Sequence, residues 1–362
     1  MDELSQWRAA RRRRGAFIAA LTVFVLSLLA LAAFWFARAA PVPPPQAGQV
    51  LPGGAVVAWS PGYRVSFYGI ERLHPADASR YDKVAAHLVG EGLVPADGFA
   101  IPAPASDADL GRVHDASYLA ELNDAASLSR ALELTVPSIL GPAAVERRVL
   151  TPFRLAAGGS VVAARAALEH GVGVNLGGGF HHARPAMGHG FCVYGDVALA
   201  IATLRDEGFS GPVLVVDTDA HQGDGNHAFF RDDPSVFSFS MHQGDIFPSP
   251  KLGGDGDVAL RAGTDDEAFL AELQGSLDRL IDEVQPELVV HVAGSDVLRD
   301  DPLAGLALSV EGLVERDLAV FRAARRSGAS YLHTLAGGYG PSSAKAQGRS
   351  VAAILRELRG RG

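Results

Sequence analysis

A chain of 362 residues, 48% hydrophobic and 20% charged, is long enough to bury a large core as one or two domains. Its single cysteine, Cys192, excludes an intramolecular disulfide framework and any cysteine-rich zinc site, so a bound metal would need histidines and carboxylates. The net charge of −9 argues against a nucleic-acid surface, which requires a clustered basic face.

Arg8 and Arg11 to Arg14 precede an uncharged stretch, Gly15 to Ala37, rich in Leu, Ala, Phe and Val. As a helix this stretch would span ~35 Å, enough to cross a bilayer, with Trp35 near the far interface. The expectation is a basic N-terminus over 1–14 and a single transmembrane helix over 15–37. The arginines would stay in the cytoplasm and the folded body would lie outside it, in the periplasm if the cell is bacterial. The membrane is then an expected partner. A cleavable signal peptide competes with this reading, because Ala37-Arg-Ala39 fits a small-x-small cleavage site. Pro41-Val-Pro-Pro-Pro45 through Gly53-Gly54 carries no charge and predicts a semi-rigid Pro/Gly-rich linker over 38–58, ahead of a folded body over 59–362.

Within that body, short apolar runs alternate with helical stretches. Val65 to Tyr68, Val172 to Asn175, Val213 to Val216, Val236 to Phe239, Leu288 to Val292 and Tyr331 to Leu335 read as strands. Ala156 to His170, Asp196 to Glu207, Asp265 to Val284 and Val310 to Arg326 read as helices between them. The alternation predicts an α/β fold with a mainly parallel sheet and helices on both faces. In such sheets ligands sit outside the carboxyl ends of the strands.

Four of those strand ends carry glycine-loosened turns with reactive side chains. They are Gly177-Gly-Gly-Phe-His181-His182, Asp217-Thr-Asp219-Ala-His221-Gln-Gly-Asp224-Gly, Ala293-Gly-Ser-Asp296 and Ala336-Gly-Gly-Tyr339. Any one alone would pass for a plain turn. Together they suit one chemistry. On a strand, Asp219 and His221 would project side by side. With Asp296 they supply three ligands and leave an open position, as a catalytic zinc requires. The adjacent His181 and His182 suit proton transfer, with Asp217 and Asp224 the carboxylates available to orient them. Tyr339 can donate to a developing oxyanion. The set describes metal-assisted hydrolysis of an amide.

These motifs, with Gly190-Phe-Cys192, the stretch Tyr63 to His74 and Ile246-Phe-Pro248, resemble the histone deacetylase family, and in Asp-Ala-His221-Gln-Gly its class IV members. The likeness runs from about Tyr63 to Leu355. It implies the arginase/deacetylase three-layer sandwich around a central eight-stranded sheet. It also implies one zinc per chain on Asp219, His221 and Asp296. His181 would be the general base paired with Asp217, His182 the acid paired with Asp224, and Tyr339 the oxyanion donor. Gly190, Phe191 and Phe247 would line the acyl tunnel. Asp217, Asp219, His221 and Ser240 would surround a structural K⁺ or Na⁺. The implied activity is removal of an acetyl or longer acyl group from an amine, either acyl-lysine or an acylated polyamine. A body exported from the cytoplasm would meet diffusible amines or cell-surface conjugates.

Two other readings stand beside this one: a ureohydrolase-like enzyme with two manganese ions, and a binding protein that has lost catalysis. Gln222 and Gly223 speak against a paired-metal site, and an intact His181, His182 and Tyr339 against a silent one. His74, His87, His114, His170, His189, His227 and His333 read as capping, packing or solvent-facing. His291 reads as a hydrogen-bonded core residue, and Cys192 as packed near the site. Oligomeric state is open.

Overall fold

The computed structural model of the chain describes residues 14, 18, 20–28, 42–66, 75–134 and 141–360. Seven strands form one sheet: β1 (Ala55–Ala58), β2 (Val172–Asn175), β3 (Val213–Asp217), β4 (Val236–Gln243), β5 (Gly256–Leu260), β6 (Leu288–Val292) and β7 (Ser330–Thr334). Their order is β1-β2-β7-β6-β3-β4-β5, and every pairing is parallel. The helices that matter to the site are α1 (Arg80–Gly90), α2 (Thr151–His170), α3 (Asp196–Asp206), α4 (Asp224–Phe230), α5 (Asp266–Val284), α6 (Val310–Ser327) and α7 (Ser343–Arg359).

The central strands β6, β3 and β7 are buried almost throughout and mainly apolar because both faces are covered. In β3, Leu214 and Val216 pack with α1, α5, α6 and α7, while Val213 and Val215 pack with α2 and α3. That period-2 division makes three layers out of what reads as a uniform apolar run. Helix ends follow their caps. Asp265 accepts from Ala268 N to start α5, Ser309 accepts from Gly312 N to start α6, and Gly328, at φ 82°, ends α6. A smaller core of Leu110, Tyr118, Leu128, Val149 and Tyr194 joins the short helices before α2 to the rim of the sheet.

Helix α2 lies so close to β2 that a Cβ on Gly173 would stand 1.8 Å from the carbonyl oxygen of Ala163. Gly173→Ala is therefore expected to destabilise the fold by roughly 1–3 kcal/mol, as overpacking of a filled core does. A lowered denaturant midpoint at unchanged slope is the measurement that checks it.

Several expectations need correction. The sheet has seven strands among the described residues, not eight. Of the predicted strand at 65–68, Val65 and Ser66 are not extended into the sheet, and Phe67 and Tyr68 lie outside the described residues. Two strands are illegible in the sequence. β1 falls inside the stretch read as linker, where no charge marks its boundary, and Gln46 and Leu51 ahead of it already pair with Ile101 and Ala55. β5 is an edge strand of alternating exposure, carrying Gly and Asp.

The transmembrane helix over 15–37 is also overturned. Among the described residues no helix is long and apolar enough to cross a membrane. Within 15–37 the described residues are 18 and 20–28, all helical; the rest of that stretch, Trp35 included, lies outside the described residues. The membrane partnership and the extracytoplasmic placement of the body rested on that helix and are withdrawn with it.

Candidate active site

The four strand ends singled out in the sequence belong to β2, β7, β6 and β3, which are consecutive in the sheet. Parallel pairing brings all four loops out at one edge. In register, Asp217 ends β3 beside Val292 of β6 and Ser240 of β4.

Asp219, His221 and Asp296 meet there. Their ligand atoms all lie within 4.8 Å of one another, and all three residues are buried. His221 Nδ1 is 2.9 Å from Asp296 Oδ2 and 3.2 Å from Asp219 Oδ1. Strand alternation is not what aligns them, because β3 ends at Asp217. Loop hydrogen bonds do so instead: His221 N donates to Asp219 Oδ1 at 3.0 Å, and Ala220 N to Asp296 Oδ1 at 2.9 Å. Gly337 N donates to Asp219 Oδ2 at 2.9 Å. A side chain at Gly294 would not fit, since its Cβ would stand 1.9 Å from Asp219 Oδ2.

Beside this cluster the rings of His181 and His182 lie 4.1 Å apart. His181 Nδ1 is 2.8 Å from Asp217 Oδ2, and His182 Nδ1 is 2.6 Å from Asp224 Oδ1. With both Nδ1 atoms engaged, Nε2 is the atom each ring offers; that of His181 lies 3.7 Å from Asp219 Oδ1. The two rings are electrostatically unequal. Burial opposes charge on His181, but Asp217 and Asp219 outweigh it and raise the ring to about 9. Burial, then the charge of His181, press His182 down to about 3. Burial and the neighbouring Asp219 raise Asp296 to about 7. Burial, with Asp296 and Asp219 nearby, holds the Tyr339 phenol well above its usual value of 10, so it is a donor at neutral pH.

Aromatic rings frame the entrance. Phe247 packs its ring 4.9 Å from His182, and Phe191 packs 5.6 Å from Tyr339. Gly190 has φ 55°, and a Cβ there would meet His182 Cδ2 at 2.4 Å. Beyond His181 and Tyr339 a cavity of about 140 Å³ is walled by Leu132, Phe153, Phe180 and Cys192. Ser240 Oγ accepts from Gly223 N at 3.2 Å and lies 3.0 Å from His242 Nδ1. Gln222 is spent on structure, donating to Leu252 O and Asp257 and accepting from Leu252 N.

Sequence reasoning missed several supports. Asp224, fully buried, also takes Arg184 Nε at 2.8 Å, and His189 Nε2 lies 3.0 Å away, so His189 is a neighbour of the site and not a bystander. Asp301 Oδ2 accepts from Tyr339 N at 2.7 Å and from Gly340 N at 3.0 Å. Asp196 accepts from Gly179 N at 2.8 Å and Phe180 N at 2.7 Å, fixing the loop that presents the histidine pair. Arg80 donates to the carbonyls of Gly338 and Ala336. No motif announces these residues; only the chain's return to one place makes them partners.

A parallel sheet that gathers two buried histidine–carboxylate pairs, a buried carboxylate–imidazole cluster and a phenol at its carboxyl edge has the architecture of an α/β enzyme. The profile of the Histone deacetylase domain matches residues 74–357. "Histone deacetylase 2" of Arabidopsis thaliana is 36% identical over 306 residues, spanning 83% of this chain and 79% of that protein. A "Probable deacetylase" of Archaeoglobus fulgidus is 29% identical over 283 residues, 74% of this chain and 76% of its own. Among solved structures, the HDAC homolog from Aquifex aeolicus superposes with a TM-score of 0.66 at 25% identity, covering 85% of this chain and 84% of that one. The chain belongs to the histone deacetylase family and is a deacetylase hydrolase.

Proposed function

We propose that this enzyme is a zinc-dependent deacylase, cleaving an acetyl or longer acyl group from an amine, either a lysine side chain or a polyamine. The observation that carries the reading is the meeting of Asp219, His221 and Asp296 with two histidine–carboxylate pairs at one sheet edge. Two oxygens and one nitrogen, buried and within 4.8 Å of one another, suit zinc, and three protein ligands leave the open position of a catalytic site. When bound, zinc would supply Lewis acidity toward the amide carbonyl and an acidified water.

The chain's own groups do the rest. His181 is held up by Asp217 and Asp219; with Asp219 and Asp296 engaged as ligands that attraction falls, and the ring can accept a proton at Nε2. Asp217 keeps the ring oriented from Nδ1. With His181 uncharged, one of the two causes that press His182 down is removed; protonated at Nε2 as well as at the Nδ1 held by Asp224, the imidazolium gives its Nε2 proton to the departing amine and returns to the neutral ring. Tyr339 donates its phenolic hydrogen to the oxygen that gains charge. Phe247, Phe191 and Gly190 shape the entrance, and the cavity behind His181 and Tyr339 receives the apolar acyl group. Asp217, Asp219, His221 and Ser240 are the residues we assign to a K⁺ or Na⁺ beneath this loop.

The test is a panel of acylated lysines and acylated polyamines, from acetyl to long fatty chains, run alongside metal analysis. One zinc per chain is expected, with turnover lost on chelation and restored by zinc. Full turnover in a chelated, zinc-free sample would refute the metal-assisted reading.

A further inference from the structure

Behind the loops that carry Asp219 and Asp296, a guanidinium is sealed in the core. Arg316, on α6, exposes 0% of its surface. Its Nη1 donates to the carbonyl of Thr218 at 2.9 Å and also to the carbonyl of Gly294. Thr218 immediately precedes Asp219, and Gly294 stands two residues before Asp296. One nitrogen thus bridges the exits of β3 and β6. The other side of the guanidinium faces Asp317, whose Oδ1 takes Nε at 2.7 Å and lies 2.7 Å from Nη2. Asp317 is fixed in turn by the hydroxyl of Ser350 on α7.

A buried ion pair is a poor way to stabilise a core, since apolar side chains of similar volume usually serve as well or better. The placement of this one points elsewhere. The ladder between β3 and β6 reaches only as far as Asp217 opposite Val292. Past that point the two chains are tied only locally among the described residues, by Thr218 N donating to Val292 O at 3.0 Å and Ala220 N donating to Asp296 Oδ1 at 2.9 Å. Asp219 and Asp296, both buried carboxylates, would repel one another there. Arg316 is tied to both chains just before their acidic residues, from the core side, and does not touch the acids themselves.

We propose that Arg316 is a positioning residue for the metal centre, clamping the exits of β3 and β6 so that Asp219 and Asp296 stay at ligand spacing. The inference rests on the zinc reading above. It assigns to a buried arginine on a distant helix the role that outer-shell partners play for first ligands, a role worth about 10–100-fold in metal affinity.

The test measures zinc affinity by competition with a calibrated chelator, together with thermal unfolding in saturating zinc. Arg316→Met keeps the volume and removes the donors. It is expected to lose stability, because Asp317 stays buried without its partner, and where folded to bind zinc about 10–100-fold more weakly than the wild type and to recover most of its turnover when zinc is in excess. An unchanged zinc affinity in folded Arg316→Met overturns the clamp. So does a turnover loss that excess zinc does not repair, because that outcome places Arg316 in catalysis or in the fold alone. Should Arg316→Met not fold, Arg316→Lys decides. A lysine keeps the charge without the fork, so weakened affinity repaired by zinc supports the clamp and wild-type affinity overturns it. A wild-type chain that holds no zinc defeats the zinc reading, and the clamp with it; a zinc-binding wild type matched by its variants defeats the clamp alone.

Discussion

Asp219→Ala and Asp296→Ala are each expected to empty the chain of zinc and to abolish turnover. Both carboxylates have no exposed surface, and each lies within hydrogen-bonding distance of His221 Nδ1. On the proposed ligand set, removing either would leave two residues to hold zinc, one short of the three protein ligands of a catalytic site. Loss of the ion then removes the Lewis acid, a contribution of several kcal/mol to the transition state. The side chains are also structural acceptors: Asp219 takes Gly337 N and His221 N, and Asp296 takes Ala220 N. The asparagine variants separate the two effects, since they keep the shape and some of the acceptor capacity while losing the charge. Elemental analysis of folded protein checks the result. One zinc per chain in both alanine variants would remove these residues from the ligand set.

Tyr339→Phe and His182→Ala are expected to retain zinc and to lose turnover by on the order of 10²–10³ and 10²–10⁴ respectively. Neither side chain belongs to the Asp219–His221–Asp296 group. Burial keeps the Tyr339 phenol protonated, and its backbone is gripped by Asp301, so phenylalanine should occupy the same place without the donor. The loss should fall on kcat with little change in KM, because the hydrogen bond strengthens only as charge develops. A fully active Tyr339→Phe would end its assignment to the oxyanion. His182 is held by Asp224, which Arg184 also engages and His189 flanks. Its alanine variant removes the proton donor while Asp224 keeps Arg184 as a partner, so the fold should survive.

Much of this site is legible in the amino-acid order. Asp219, His221, Asp296, His181, His182 and Tyr339 stand in four strand-end motifs, each a plain turn by itself and informative only together. Helices α2, α3, α5 and α6 lie within a few residues of the predicted ones, because their apolar periodicity and their Asp, Ser and Gly ends are local signals. The N-terminal apolar run misleads for a related reason: hydropathy measures composition, and composition alone predicts a helix across a bilayer that the described residues do not contain.

What the amino-acid order determined by itself was the list of chemical groups and the period of the elements that carry them. Both depend on neighbours a few residues apart. Which groups would meet was decided by the tertiary structure. The order β2-β7-β6-β3 makes neighbours of loops that lie far apart in the chain, and it sets Asp217 against His181, Asp301 against Tyr339, and Arg316 against the carbonyls of Thr218 and Gly294. Asp301 and Arg316 bear no motif, because a carboxylate or guanidinium that orients another residue needs only to arrive within about 3 Å of it. That arrival is a property of strand order and helix packing, to which short-range sequence pattern is blind.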